Sequence, residues 1–161
     1  MSYDVYLNDC STGEVLLLDN PHGMARGAYA EGGVRECHLN ITYNYSRLLR
    51  EHLHEQSVRW LYGKTAHETA EALRGAAESI EALPDQDLPP VDERERWDRK
   101  IKEEQARRSE LVLAEPVAFK GVVYRRAPVE YWVPSPANVA RSLRQLLALA
   151  EWRPDGVWDG D

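Results

Sequence analysis

The N-terminal segment alternates between apolar and polar residues, which is the pattern of a β-strand with one buried face. Tyr3, Val5 and Leu7 lie on the apolar side of this pattern. Turn-forming residues fill positions 8–13, and an apolar run follows at 14–18. We therefore expect the chain to begin with a β-hairpin.

The segment 35–45 shows the clearest alternation in the chain. Its apolar positions predict one buried face, which consists of Leu39, Ile41, Tyr43 and Tyr45. The positions between them carry side chains that can exchange hydrogen bonds, namely His38, Asn40, Thr42 and Asn44. We expect a single strand here, with its second face available to a ligand.

Two later segments have helical periodicity. Thr65 followed by Glu68 is a capping box, and it predicts the start of an amphipathic helix. Ser135-Pro136 predicts the start of a second helix, which ends before Pro154. Strands lie at both ends of the chain with helices between them, and parallel βαβ repetition is absent. This order predicts an α+β fold, with a small antiparallel sheet packed against amphipathic helices.

Residues 84–110 differ in composition from the rest of the chain. They contain nine acidic and seven basic residues, which leaves too few apolar side chains for a core. This pattern predicts a linker followed by an exposed, charged helix. We expect residues 1–161 to form a single domain, with the charged helix as an insertion in it.

The charge balance narrows the range of partners. The chain has 20 lysine and arginine residues against 27 aspartate and glutamate residues, so its formal net charge is −7. A negative surface repels nucleic acids and anionic membranes, and we expect neither as a partner. No apolar run approaches the roughly 20 residues that span a bilayer, and the first residues lack the pattern of an export signal. The only two cysteines, Cys10 and Cys37, are far apart in the sequence, which favours free thiols and a cytoplasmic location.

Two stretches carry a resemblance to known proteins. The sequence LNITYNYS at 39–46 and the ending RPDGVWDGD at 153–161 together resemble a family of small proteins carried by bacteriophages and prophages. The resemblance covers about residues 3–83 and 129–161. It implies a setting in the host bacterial cytoplasm, and no activity follows from it for individual residues. Small phage proteins often bind a host component or sequester a signalling molecule, so the resemblance also implies a role against host defence.

The candidate ligand site combines a glycine-rich segment with the polar face of the strand at 35–45. Glycine lets backbone N–H groups approach a ligand closely, and the planar guanidinium of arginine fits a phosphate or a carboxylate. The expected ligand-binding residues are His22, Gly23, Arg26, Gly27, Tyr29, Arg35, His38, Asn40, Thr42 and Asn44. We expect them to form one concave surface lined with hydrogen-bond donors.

The leading hypothesis is a binding protein without enzymatic activity. Its partner would be a small anionic, nucleotide-like ligand or a host protein that it blocks. The sequence has no serine elbow, no Cys/His dyad and no HExxH motif, so we assign no catalytic residue, metal ligand or cofactor. A hydrolase or transferase that acts on a phosphorylated substrate is one alternative. Another is a virion structural or assembly protein that forms homo-oligomers through its tyrosine- and tryptophan-rich strands.

The C-terminal tail offers a weaker signal. Asp155, Asp159 and Asp161 have part of the spacing of a calcium-binding loop, but the glutamate that ends such a loop is missing. We expect instead a glycine-containing turn that folds Trp158 back onto the body of the protein.

Overall fold

A computed structural model describes residues 2–22, 28–30, 33–84, 117–119, 122–126 and 133–161. Within these ranges the chain forms three α-helices, two 3₁₀ helices and eight short strands, which are arranged in three small antiparallel sheets. The predicted α+β fold is therefore confirmed. Apart from Pro84, the predicted charged insertion at 84–110 lies outside the described residues.

The described elements are numbered in chain order. The strands are β1 (Ser2–Asn8), β2 (Leu17–His22), β3 (Ala28–Ala30), β4 (Val34–Glu36), β5 (His38–Thr42), β6 (Val117–Phe119), β7 (Val122–Arg126) and β8 (Val157–Gly160). The helices are α1 (Ser46–His52), α2 (Ala66–Glu81) and α3 (Pro136–Trp152), and the 3₁₀ helices are Tyr43–Tyr45 and Ser57–Leu61.

The central sheet has the strand order β5-β1-β8, so its two outer strands come from distant parts of the chain. The predicted N-terminal hairpin is present only beside its turn, where Asn8 and Val15 form a bridge and the N–H groups of Asp9 and Leu16 donate to the oxygens of Glu14 and Leu7. Over the rest of its length β1 pairs with β5 and β8. Strand β2 instead pairs with β4, and β3, β7 and β6 form a third sheet.

The predicted strand at 35–45 is shorter than expected. Strand β5 ends at Thr42, whose hydroxyl accepts a hydrogen bond from the N–H of Asn44 and so caps a 3₁₀ helix. Leu39 and Ile41 face the core as predicted, whereas Tyr43 and Tyr45 belong to the 3₁₀ helix. The alternation of apolar and polar residues continues to Tyr45 in the sequence, but the backbone leaves the extended conformation after Thr42.

Both predicted helices are confirmed, together with their caps. Helix α2 begins with the Thr65–Glu68 capping box, and α3 begins after Ser135, whose hydroxyl accepts from the N–H of Asn138. The two helices pack against each other, and their apolar faces join β1, β5 and α1 in one core. None of the helices in the described ranges combines the length and the apolarity needed to cross a bilayer.

The C-terminal tail completes the central sheet. Strand β8 pairs with β1, and Trp158 is buried as predicted, with its indole N–H donating to the hydroxyl of Thr69 at 2.7 Å. Gly160 lies where β8 crosses Tyr62, and a side chain at this position would collide with the tyrosine ring. The tail thus contains the turn expected from its glycines and, after it, a strand of the central sheet.

Candidate functional site

The first candidate site is a cleft of about 540 Å³ between β2 and the end of α3. Residues 17–22 form one wall, and Trp152 and Arg153 form the other. We call it the indole cleft. Leu17 and Trp152 are 54% and 50% exposed, and they are the only exposed large apolar side chains in the described part of the chain. The cleft therefore presents apolar surface that the fold itself does not cover.

His22 closes one end of the indole cleft. The pairing of β2 with β4 places its ring beside the backbone of Glu36, and Nε2 lies 2.9 Å from that carbonyl oxygen. Nε2 therefore carries a proton and donates, which fixes the orientation of the ring. The ring centre lies 6.2 Å from that of Trp152, with the two planes inclined by 35°. The two rings form an aromatic corner of the cleft.

The cationic group in this cleft is already paired. Arg153 donates two hydrogen bonds to the carboxylate of Asp155, at 3.0 and 2.7 Å, and another to the backbone oxygen of Leu17. The hydrogen bond from Arg153 holds the pKa of the Asp155 carboxyl below its ordinary value. Arg153 thus shapes the cleft without offering it an unpaired positive charge.

A second cleft of about 710 Å³ lies beside β1 and α1. We call it the tyrosine–arginine cleft. Its lining residues come from β1, the two 3₁₀ helices, α1 and the turn after α1: Tyr3, Tyr43, Ser46, Arg50, Glu55, Gln56, Ser57 and Arg59. None of them belongs to the ligand site predicted from the sequence.

Hydrogen bonds and ring contacts organise the wall of the tyrosine–arginine cleft. The hydroxyl of Ser46 donates to the backbone oxygen of Tyr43 at 2.6 Å, so it accepts from the Tyr3 hydroxyl at 2.8 Å. The Tyr3 and Tyr43 rings meet edge to face with their centres 4.2 Å apart. The guanidinium of Arg59 lies over both rings, 5.4 and 5.8 Å from their centres. These contacts hold the Arg59 charge at the cleft.

The glycine-rich part of the predicted site falls mostly outside the described residues. Gly23, Arg26 and Gly27 are not described, and Tyr29 is described only by its backbone, which pairs with that of Arg125. Of the remaining predicted residues, only His22 lines a cleft described above.

Arg35, the predicted residue next to the glycine-rich segment, contacts the backbone of β2. Its Nε donates to the carbonyl oxygen of Leu18 at 2.6 Å. This bond ties β4 to β2 and uses one of the donors that the sequence analysis assigned to a ligand.

The polar face of β5 is occupied by the neighbouring strand. One carboxylate oxygen of Asp4 in β1 accepts from Asn40 and lies 3.1 Å from Nε2 of His38. Asn40 also donates to the hydroxyl of Ser2 at 2.8 Å and is only 9% exposed. The ring of His38 stacks on that of Tyr6, with centres 4.5 Å apart. The side chains of His38 and Asn40 thus stabilise the pairing of β5 with β1, whereas the Thr42 hydroxyl caps the 3₁₀ helix.

Each of the three C-terminal aspartates contacts a different partner. Asp155 pairs with Arg153, whereas Asp159 accepts from the side-chain amide of Asn8. Asp161 accepts from the backbone N–H of β1 at residue 4. The described part of the chain contains no group of three His, Cys, Asp or Glu residues placed to hold a metal ion.

Comparisons with known proteins do not assign the chain to a family. No family model matches the sequence, no curated protein matches it, and no solved structure matches its fold. The two clefts are therefore the features of the protein from which a function is inferred.

The sequence did not predict Trp152 and Arg153, which face His22 across the indole cleft. It also did not predict any residue that lines the tyrosine–arginine cleft. Trp152 belongs to a helix whose other face is buried, and the pattern indicated only that helix. Ser57 has a φ of 59°, which a serine in a sequence does not reveal. Arg50 and Arg59 are nine residues apart in the sequence, and only the tertiary structure brings both to one cleft with Tyr3.

Proposed function

We propose that this protein binds and holds a small anionic, nucleotide-like ligand without converting it chemically, and that the ligand's ring packs in the indole cleft. The observation that carries this proposal is the half-exposed indole of Trp152 beside the ring of His22 in a cleft of about 540 Å³. Pockets for small organic ligands range from about 300 to 1,000 Å³ and are lined mainly by apolar and aromatic side chains. A flat base would cover the indole and remove apolar surface from water.

The anionic end of the ligand needs a cation that Arg153 does not supply, because its charge is paired with Asp155. His22 is followed directly by the glycine-rich segment 23–27, which contains Arg26. We assign the recognition of the anionic group to Arg26, since a guanidinium binds phosphate oxygens in pairs.

The described geometry favours binding over catalysis. His22 is the titratable ring nearest to the exposed indole, and its Nε2 is held by a backbone carbonyl. Among the described residues, no nucleophilic hydroxyl or thiol lines the indole cleft with it. In the setting that the phage resemblance implies, a protein that holds a nucleotide would withdraw a host signal, which is the basis for proposing an anti-defence role.

A thermal-shift series with nucleotides and cyclic nucleotides tests the proposal. A ligand at 100 times its Kd adds about 2.7 kcal/mol of stability, which is readily measured as a rise in Tm. We expect Trp152→Ala to weaken binding by about 5- to 150-fold, because stacking of one base on an aromatic side chain is worth about 1 to 3 kcal/mol. Trp152→Phe should retain part of the affinity.

Two further variants complete this experiment. Arg26→Gln should weaken binding of a nucleotide more than binding of the uncharged nucleoside. Trp60→Ala removes a half-buried indole that stacks on His54 outside the indole cleft and should leave affinity unchanged. If no nucleotide raises Tm, or if Trp152→Ala binds as tightly as the unchanged protein, the proposal is wrong.

A host protein is the second candidate partner, and the 54% exposure of Leu17 favours it. A leucine beside an exposed tryptophan is a feature of surfaces that pack against another protein. Leu17→Glu should abolish capture of a host protein, and because Leu17 lines the same cleft it should also weaken binding of an anionic nucleotide. Loss of the nucleotide effect alone, with capture unaffected, would argue against the protein partner at this cleft.

A further inference from the structure

The tyrosine–arginine cleft collects positive charge that the acidic protein does not neutralise. Four arginines in the described residues pair with carboxylates: Arg47 with Glu51, Arg74 with Glu151, Arg144 with Glu81 and Arg153 with Asp155. Arg50 and Arg59 have no such partner in the described part of the chain, although both line the same cleft. In a chain with a net charge of −7, two unpaired guanidinium groups at one concave place form a local positive field.

Each of these arginines is anchored without using all of its donors. Arg50 donates through Nε to the backbone oxygen of Ser46 at 3.1 Å. Arg59 donates through one terminal nitrogen to the hydroxyl of Tyr43 at 3.2 Å, while its plane lies over the tyrosine rings. Their other guanidinium nitrogens have no hydrogen bond to any described residue. The side chains are therefore positioned in advance and keep donors for an anion.

Ser57 adds an independent observation at the same cleft. Its side chain is 2% exposed and lines the cleft, and its hydroxyl is one of two buried side-chain polar groups in the described residues without a hydrogen-bond partner. Its backbone is also held at a φ of 59°, which favours glycine. Buried hydroxyls in folded proteins nearly always have a partner, so the Ser57 hydroxyl is available to a water or to a ligand group at this cleft.

We propose that the tyrosine–arginine cleft binds the phosphate group of a small phosphorylated molecule, with Arg50, Ser57 and Arg59 as the donors. A phosphate monoester has three terminal oxygens, which suits donors that reach it from three different residues. The cleft of about 710 Å³ is much larger than one ion, so it also has room for the organic part of the ligand. This site shares no lining residue with the indole cleft and does not depend on the function proposed there.

Glu55 places a negative charge at this cleft, and this charge provides a separate test of the proposal. Its carboxylate is exposed, lines the same cleft and has no ion pair with a described residue. It lowers the local positive field and repels an incoming phosphate. Removing its charge should therefore strengthen binding, which is the opposite of what a generally damaging substitution would do.

Isothermal titration calorimetry tests the site. The full chain is titrated with inorganic phosphate and, separately, with glucose 6-phosphate. We expect Arg59→Gln and Arg50→Gln each to weaken binding of both probes by about 10-fold, since each removes a charge-assisted hydrogen bond. Glu55→Gln should strengthen binding, and glucose 6-phosphate should bind more tightly than phosphate. Arg47→Gln, on the same helix as Arg50 but outside the cleft, should change nothing.

Ser57→Ala separates a binding role from a structural one. The alanine removes a hydroxyl without a partner, so the Tm of the free protein should stay the same or rise, while the rise in Tm caused by phosphate should shrink. Arg59 also packs on Tyr3 and Tyr43, so Arg59→Gln could weaken binding by disturbing this packing. Glu55→Gln removes no packing contact, so a change in its affinity reports the charge alone. Equal phosphate affinity in Arg50→Gln, Arg59→Gln and the unchanged protein, or weaker affinity in Glu55→Gln, would overturn the proposal. Tighter binding of acetate than of phosphate would also overturn it.

Discussion

Burial gives the two cysteines different reactivity. Cys37 follows β4 and is completely buried, and burial raises the pKa of its thiol to about 11. Cys10 lies exposed in the turn after β1, and neither cysteine is in a disulfide. At neutral pH the Cys37 thiol is protonated and shielded from reagents, so only one of the two thiols is chemically available in the folded protein.

This difference predicts the outcome of thiol labelling. At pH 8 a thiol reagent should modify one cysteine per folded chain and two per chain in denaturant. Cys10→Ser should abolish labelling of the folded protein, and Cys37→Ser should leave it at one. Rapid modification of Cys37 in the folded Cys10→Ser variant would contradict the burial of that thiol.

At the scale of elements, one tryptophan joins the C-terminal strand to a helix. Trp158 of β8 is 1% exposed, and its indole N–H donates to the hydroxyl of Thr69 in α2. That hydroxyl donates in turn to backbone oxygens of the first turn of α2, at Thr65 and Ala66. The indole thus packs into the core while its single polar group is satisfied.

Thr69→Val should expose the cost of leaving that N–H without a partner. Valine fills nearly the same space, so the main change is the loss of the hydroxyl. We expect the free energy of unfolding to fall by about 1 to 3 kcal/mol in urea denaturation. Ser79→Ala removes an exposed hydroxyl of the same helix that bonds His52, and it should change stability by less than about 0.5 kcal/mol. Equal stability of the two variants would contradict this role of Thr69.

At the scale of the whole molecule, carboxylates that accept hydrogen bonds connect stability to pH. Hydrogen bonds from Ser11, Thr65, Arg144 and Arg153 hold the pKa values of Asp9, Glu68, Glu81 and Asp155, respectively, below their ordinary values. These groups lie in the first turn, at the two ends of α2 and beside the indole cleft. The bond between Arg144 and Glu81 joins α3 to α2, whereas the other three connect residues two or three positions apart in the chain.

The sign of the pH dependence follows from the direction of these shifts. Because the folded-state pKa values lie below the ordinary 3.8 of aspartate and 4.5 of glutamate, the stabilisation is fully present above those values. It is lost as the pH falls through the lower, folded-state values. Urea midpoints should therefore decrease from pH 6 to pH 3, and Glu81→Gln should reduce that decrease. Glu71→Gln, which removes a charge from α2 without removing a hydrogen bond, should not. An unchanged pH dependence in Glu81→Gln would contradict the role of the Arg144 pair.

How far the sequence predicted the candidate site differs between its parts. His22 was identified from its neighbours along the chain, and it does line a cleft. His38 and Asn40 were correctly placed on a polar strand face, but the position of Asp4 opposite them could not be read from the pattern. Trp152 was not predicted because its position in the sequence resembles any other position of a helix. Ser57 was not predicted because its placement depends on a single backbone angle.

The sequence by itself determined the elements whose signals are local. Helices α2 and α3, with their caps and buried faces, follow from interactions between residues three and four positions apart, which any copy of these segments would make. Only the tertiary structure decided the order β5-β1-β8, because strand pairing joins segments far apart in the chain and alternation does not name the partner. The same reason applies to both clefts, since Leu17 meets Trp152, and Tyr3 meets Arg59, only after distant elements have packed together.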